Sequence, residues 1–187
     1  MIVLASASPR RRELLGSLGL EFDIQPAQGP ENTPETGDAA EAVRAIALGK
    51  ARAVAALRPD DLVIGADTVV ELDGHILGKP ADEAEARAML GALSGRTHRV
   101  YTGVAVIAGG EERTECAVTA VRFRTLSERE IAAYVATGEP MDKAGAYAAQ
   151  GTAALFVEGI DGDYFNVVGL PLCTLGRMLE QFGVDLI

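Results

Sequence analysis

Four helix starts are written into the chain, and what lies between them constrains its fold class. Ser8 precedes Pro9, an N-cap followed by the helical position where proline sacrifices no hydrogen bond. Asp38 with Glu41, Asp82 with Glu85, and Ser127 with Glu130 each place an acid three residues after a short capping side chain. Gly19, Pro59, Gly95 and Gly138 stop the four helices. Apolar runs fill the intervals. "MIVLA" reads as a short buried strand, and "LVIGADTVVELDGHIL" as a strand with a hairpin at Asp73-Gly74. "HRVYTGVAVIA" and "ECAVTAVRFRTL" form two long strands joined through Gly109-Gly110. "QPAQGPENTPETGD" is a polar loop. "GEPMDKAGAYAAQG" is a second loop, leading to a last hairpin at "DGD" and a helix after Pro171. Strands that first alternate with helices and later meander predict a mixed α/β fold with a twisted, partly antiparallel sheet.

The 187 residues are expected to form one domain, residues 1–187, burying roughly 70% of the surface of the unfolded chain. Hydrophobic and charged fractions of 48% and 24% are those of a globular protein. A net charge of −10 argues against non-specific binding to nucleic acid or anionic membranes, so any anionic ligand needs a local cluster of cations. Cys116 and Cys173 lack metal-site spacing and are expected to be small buried apolar residues. The apolar start is four residues long and arginines follow it, the reverse of a secretory leader; with no membrane-length apolar run, the expected compartment is the cytoplasm.

Several charges then fall where apolar residues belong. On a wheel of the first helix, Leu14, Leu15 and Leu18 define the apolar face. Arg11 falls near its centre, Arg10 at its edge, and Arg12 points away. An inward arginine beside a helix N-terminus makes an anion site. In the second helix Val43, Ile46, Ala47, Val54 and Leu57 form a stripe with Lys50 in its middle. Lysine is almost never buried unless paired. Lys50 is therefore either half of a structural ion pair or the floor of a cleft facing a phosphate. Lys79 stands in "LGKP", where Gly78 permits close backbone approach and Pro80 restrains the loop. Asp67 follows the apolar run "LVIGA", where it either caps a turn or stands at a strand-end ligand site.

Established nucleotide and hydrolase motifs (GxxxxGK[ST], GxGxxG, GxSxG, HExxH) do not occur. The two histidines, His75 at a turn and His98 before a strand, suit solvent exposure and a structural polar contact respectively. Arginine, lysines and carboxylates remain. That set suits phosphate chemistry, in which cations screen the anion while carboxylates hold Mg²⁺ and activate water.

Seven segments in order, "LASASPRR.ELL", "GKARA", "GADTVV", "GKP", "LSG.TH.VYTGVAV", "GEP.DKAGAY..QG" and "GDYFNVVGLPL", resemble the Maf family of nucleoside triphosphate pyrophosphatases over nearly the whole chain. The resemblance implies an elongated α/β fold like that of the inosine triphosphatases (Ham1-like), with a twisted mixed sheet flanked by helices and a cleft between two lobes. It implies hydrolysis between the α and β phosphates, giving a nucleoside monophosphate and pyrophosphate, with a divalent metal (Mg²⁺ or Mn²⁺). It also implies a link to arrest of septum formation. By the same resemblance Asp67 is the proton acceptor, and Ser6, Arg11, Lys50 and Lys79 are phosphate-side residues. Glu31, with Asp67, belongs to the metal or water site, although Pro30 stands where many relatives carry another acid. Arg10, Thr68 and Gln150 match the pattern of the dTTP/UTP pyrophosphatase subclass. The Gln150 amide can donate to O4 of uracil or thymine and accept from N3–H.

Two kinds of function compete: a pyrophosphatase for UTP and dTTP, and a nucleotide-binding regulator of septation. Asp67 favours the enzyme, since a pure binder gains nothing from a carboxylate beside phosphates. A pyrophosphatase for purine or other non-canonical triphosphates is the nearer rival. The expected partner is the nucleoside triphosphate, with neither nucleic acid nor membrane; a homodimer is left open.

Overall fold

One strand organises the sheet. β3 (Leu62–Leu72) lies antiparallel to β5 (Thr97–Ala108) along residues 63–71 of one edge. Its other edge is shared. β1 (Ile2–Leu4) runs parallel to residues 62–64, and β4 (His75–Leu77) antiparallel to residues 70–72. Among the described residues, no strand pairs that edge of β3 between residues 65 and 69. The computed structural model describes residues 1–29, 33–35 and 37–187.

β2 (Phe22–Ile24) adds to β1 in parallel, while β6 (Glu111–Phe123) and β7 (Val157–Asp161) extend the far side antiparallel, giving the order β2-β1-β3-β5-β6-β7. The expected mixed, partly antiparallel sheet flanked by helices is therefore present. Asp73-Gly74 and Gly109-Gly110 make its tight turns with positive φ at both residues (53° and 81°; 58° and 82°), as two-residue hairpins require.

The four helix starts form as read. Ser8 caps α1 (Pro9–Gly16), and Asp38 Oδ1 accepts from Ala40 N and Glu41 N at 2.9 and 3.1 Å to open α2 (Ala39–Ala55). Asp82 accepts from Glu85 N at 2.8 Å to open α3 (Glu83–Leu93). Ser127 and Glu130 close a reciprocal box at α4 (Glu128–Val135). Such signals are local, so tertiary context seldom displaces them.

Three expectations give way, and one strand goes unread. "DGD" is no hairpin: Asp161 ends β7, and Asp163 caps α5 (Tyr164–Val168) by accepting from Phe165 N at 2.8 Å. β2 carries no readable period in its three residues, of which Phe22 is half-buried and Asp23 and Ile24 are exposed. α2 ends at Ala55, so Leu57 is 68% exposed and leaves the stripe, while Ile46 is only half-buried. The cysteines are not buried: Cys116 is intermediate, and Cys173 is exposed on α6 (Leu172–Gln181), whose buried face is Leu175, Met178 and Leu179. No helix among the described residues is long and apolar enough to cross a membrane.

Side-chain alternation sends odd-numbered β3 residues towards α2 and even-numbered ones to the opposite face. On the α2 face, Val3, Val63 and Ala105 pack against Ala47, Ala51 and Val54. The helix lies unusually close. A Cβ on Gly65 would stand 2.3 Å from Ala47 O, and one on Gly103 would stand 2.3 Å from Val43 O. On the opposite face there are two cores. Leu4, Leu15, Ile64 and Ala66 pack with Leu170 and Leu175, whereas Val70 and Val100 pack with Leu90, Leu93, Phe123 and Tyr147. Thr68 and its register partner Thr102 lie at the divide.

Candidate functional site

A cleft of about 1050 Å³ opens beside the stretch of β3 whose edge no strand pairs among the described residues. Its polar end is lined by Ser6, Arg10, Arg11, Lys50, Asp67 and Lys79, and its apolar end includes Val70, Leu77, Met89, Val100 and Tyr147. Such a split suits a ligand with a charged tail and a flat, weakly polar head.

Asp67 projects towards α2 and is 6% exposed. Lys50 Nζ donates to its Oδ1 at 2.8 Å, with the lysine side chain 13% exposed. Of the alternatives held open for Lys50, the contact seen is the ion pair, and its other half is the residue read as the proton acceptor. The pairing depends on the close seating of α2 over Gly65 and Gly103. Oδ2 of Asp67 is buried with no hydrogen-bond partner among the described residues. A buried carboxylate oxygen is costly to leave unsatisfied, so it marks a place for a donor or a cation.

The arginines divide the work. Arg11 Nε donates to Gly169 O at 2.8 Å, and Nη1 donates to Ala66 O at 3.0 Å and to Ser6 Oγ at 3.3 Å. Nη2 donates to Thr68 Oγ1 at 3.0 Å. Its inward position on the wheel therefore clamps α1 to β3 and to the turn after α5. Arg10 is half-buried and looks across the cleft towards Asp142 and Glu139; burial holds its pKa below the ordinary arginine value, and the two acids oppose that shift. Arg12 is exposed, as the wheel predicts.

Lys79 is exposed at the rim, on a loop held by the Gly145 N–H donating to Gly78 O at 3.1 Å. Thr68 lines the cleft on the face opposite Asp67. Gln150 is exposed and is not among the lining residues, and Glu31 lies outside the described residues.

The charges of "GEPMDKAGAY" have no role legible in the sequence. The structure places Asp142 and Lys143 in the cleft wall, with Lys143 pairing Asp142 and its side chain 11% exposed. Lys143 first, and Arg10 less strongly, hold the Asp142 carboxyl below its usual range. The missed signal was an acid–lysine pair in a glycine-bearing loop. Beneath it Tyr147 meets His98, with Nε2 and the phenol oxygen 2.7 Å apart. His98 is the structural polar contact expected, and burial pulls its pKa down to about 4. Burial also pushes the Tyr147 phenol upward.

A family model described as Maf-like protein matches residues 1–182. The chain belongs to the Maf family. Among its relatives, a dTTP/UTP pyrophosphatase of Moorella thermoacetica is 59% identical over 186 residues, covering 98% of this chain and 96% of the relative. One of Symbiobacterium thermophilum is 53% identical over 182 residues, covering 97% and 94%. Among solved structures, the Ham1 protein of Staphylococcus aureus superposes with a TM-score of 0.55 at 16% identity, covering 97% of this chain and 98% of that one. At that identity the likeness is one of fold, and it matches the Ham1-like architecture expected of a Maf protein.

Proposed function

We propose that this Maf protein hydrolyses UTP and dTTP between the α and β phosphates, releasing the nucleoside monophosphate and pyrophosphate. The observation that carries the reading is the buried Lys50–Asp67 pair at 2.8 Å, set in a cleft that is cationic at one end and apolar at the other. The names of the Moorella and Symbiobacterium relatives support the pyrimidine assignment. Free nucleotides as substrate would place the enzyme in the cytoplasm.

In this reading the triphosphate enters along Arg10, Lys50 and Lys79, whose charges offset its own. Lys50 turns from Asp67 towards phosphate as the anion arrives, which leaves the carboxylate free to act as a base. Asp67 takes a proton from water as the water attacks the α-phosphorus, and pyrophosphate departs. Arg11, already committed to the backbone around Asp67, keeps the strand in place. The apolar end receives the base, with Tyr147 and Met89 in its walls.

A divalent cation fits this site. The unpartnered Oδ2 of Asp67 is a hard oxygen donor, and phosphate oxygens and water would complete the shell, as Mg²⁺ prefers. When bound, the ion would supply charge neutralisation and a more acidic water.

Product analysis on UTP, dTTP and a panel of other triphosphates, with Mg²⁺, with Mn²⁺ and with chelator, tests the reading. Pyrophosphate and monophosphate in equal amounts are expected. Orthophosphate as first product, or a preference for purines, overturns it.

A further inference from the structure

Beneath Thr68 runs a chain of buried hydroxyls whose protons can be counted. Thr102 is fully buried, and its Oγ1 donates to the backbone carbonyl of Asn166 at 3.0 Å. A carbonyl only accepts, so the single proton of Thr102 is committed there. The 2.9 Å contact between Thr68 Oγ1 and Thr102 Oγ1 must then take its proton from Thr68. Arg11 Nη2 fills one lone pair of the same oxygen at 3.0 Å. One lone pair is left to face the cleft.

The far end of the chain is anchored in the same way. The Asn166 side chain, also fully buried, donates through Nδ2 to Val100 O at 3.1 Å and to Thr119 Oγ1 at 2.8 Å. Thr119 in turn donates to Asp163 O at 3.1 Å. Both Asn166 and Asp163 belong to the α5 segment, so their carbonyls are fixed in place by the element that Thr102 and Thr119 hold against the sheet. Turning the Thr102 proton towards Thr68 would take that donor from the carbonyl of the fully buried Asn166, at substantial cost.

We propose that Thr68 shows its ligand a lone pair and no proton, a polarity imposed by the positioning residues Thr102 and Asn166, so that the nucleoside group it meets is an N–H or O–H donor. This rests on the nucleotide reading above and deepens it. Two donors of a pyrimidine nucleotide fit: the imide N3–H of uracil or thymine, and the 3′-hydroxyl of the sugar. If the base is the source, the device also rejects cytosine, which has a bare acceptor at N3 and would set lone pair against lone pair. A site committed to one hydrogen-bond polarity discriminates more strongly than an apolar pocket can.

The test compares kcat/KM for UTP, CTP, N3-methyl-UTP and 3′-deoxy-UTP in the wild type, Thr102→Val and Thr102→Ser. Valine leaves Thr68 able to turn its proton into the cleft, and serine keeps the relay. Loss of N3–H or of the 3′-hydroxyl, whichever is the source, is expected to cost the wild type about tenfold or more. In Thr102→Val that penalty shrinks about tenfold, and Thr102→Ser restores it. If the base is the source, the UTP-to-CTP preference contracts in parallel; if the sugar is, it does not move. A folded Thr102→Val with the wild-type substrate ratios within twofold overturns the proposal. A neutron structure of the wild type decides it without turnover or variants: the Thr68 deuteron lies on the line to Thr102 if the inference holds, and points into the cleft if it fails. Wild-type protein inert to every pyrimidine triphosphate overturns the proposed function instead, and the deuteron positions still judge this polarity.

Discussion

Asp67 and Thr68 are neighbours on one strand, yet they face opposite surroundings. Asp67 lies across the sheet from Gly103 and under α2, with one oxygen held by a lysine and the other holding no hydrogen bond among the described residues. Thr68 lies across from Thr102, and its hydroxyl is engaged by both Arg11 and Thr102. In the proposed reaction, the α2 face keeps a charge whose partner is exchanged for substrate phosphate. The α5 face keeps a polar group whose orientation is fixed beforehand. Chemistry requires the first arrangement and recognition the second, and strand alternation supplies both within two residues.

The comparison is tested most severely at the carboxylate itself. Asp67→Asn is expected to lower kcat by about 10²–10⁴-fold, the usual worth of a general base, while nucleotide affinity holds or improves as a negative charge leaves the phosphate site. Steady-state kinetics with equilibrium binding checks both halves. Retention of most of kcat would show that the α2 face is not the reactive one.

Lys50→Met comes next. From the stripe alone, methionine would be expected to fold at least as stably as lysine; the observed pair with Asp67 changes that expectation. Removing one partner of a mostly buried ion pair strands the other, so stability should fall by about 1–3 kcal/mol, less than for a fully dry pair because both groups keep some exposure. kcat/KM should fall about 10²-fold with the loss of a charge near the phosphates. Combining Lys50→Met with Asp67→Asn should recover most of the lost stability and none of the activity. Thermal melts and kinetics on the three variants would show this as a coupling between neighbours.

Gly103→Ala attacks the geometry and leaves the charges alone. Its Cβ would meet Val43 O at 2.3 Å and Arg44 N at 2.7 Å, all rigid helix backbone, so α2 must lift from the sheet. A destabilisation of about 1–3 kcal/mol is expected, the range for overpacked cores. Since Lys50 rides on the same helix, kcat should fall as well, while the Thr68-side substrate ratios keep their wild-type values. A change confined to those ratios would mean that the two faces are not independent.

How much of this was legible in the sequence follows the range of each interaction. Caps and tight turns act within four residues, and Ser8, Asp38, Asp82, Ser127 and Asp73-Gly74 were all readable. Lys50 stood out because a charge interrupts a helical period. That its partner is Asp67 could not be read, since the contact depends on Gly65 and Gly103 letting a helix approach the sheet. Thr102, Thr119 and Asn166 gave no warning at all: a threonine inside a strand looks the same whether it faces water or closes a buried relay. Asp142 and Lys143 went unassigned because short 3₁₀ turns carry them, without a period to mark which way they face.

An effect confined to acid pH sharpens the comparison on the recognition side. His98 shares the face of Val100 and Thr102 on β5, is 2% exposed, and packs edge-on against Phe123 and Tyr147. Burial lowers its pKa from 6.5 to about 4, so between those values the unfolded chain binds a proton that the folded protein refuses. Stability must then fall as pH drops through that window, by about 3 kcal/mol in total from this residue, and stay level above it. His98→Gln removes the titration and keeps a polar partner for the Tyr147 hydroxyl. Chemical denaturation between pH 7 and pH 4 should therefore show a shallower acid loss for the variant. Carboxylates held low by their partners, such as Glu130, begin their own acid loss at the bottom of this range and continue it below, equally in both proteins. Equal slopes for wild type and variant would mean that His98 accepts its proton without unfolding and that the wall behind Tyr147 is softer than its packing implies.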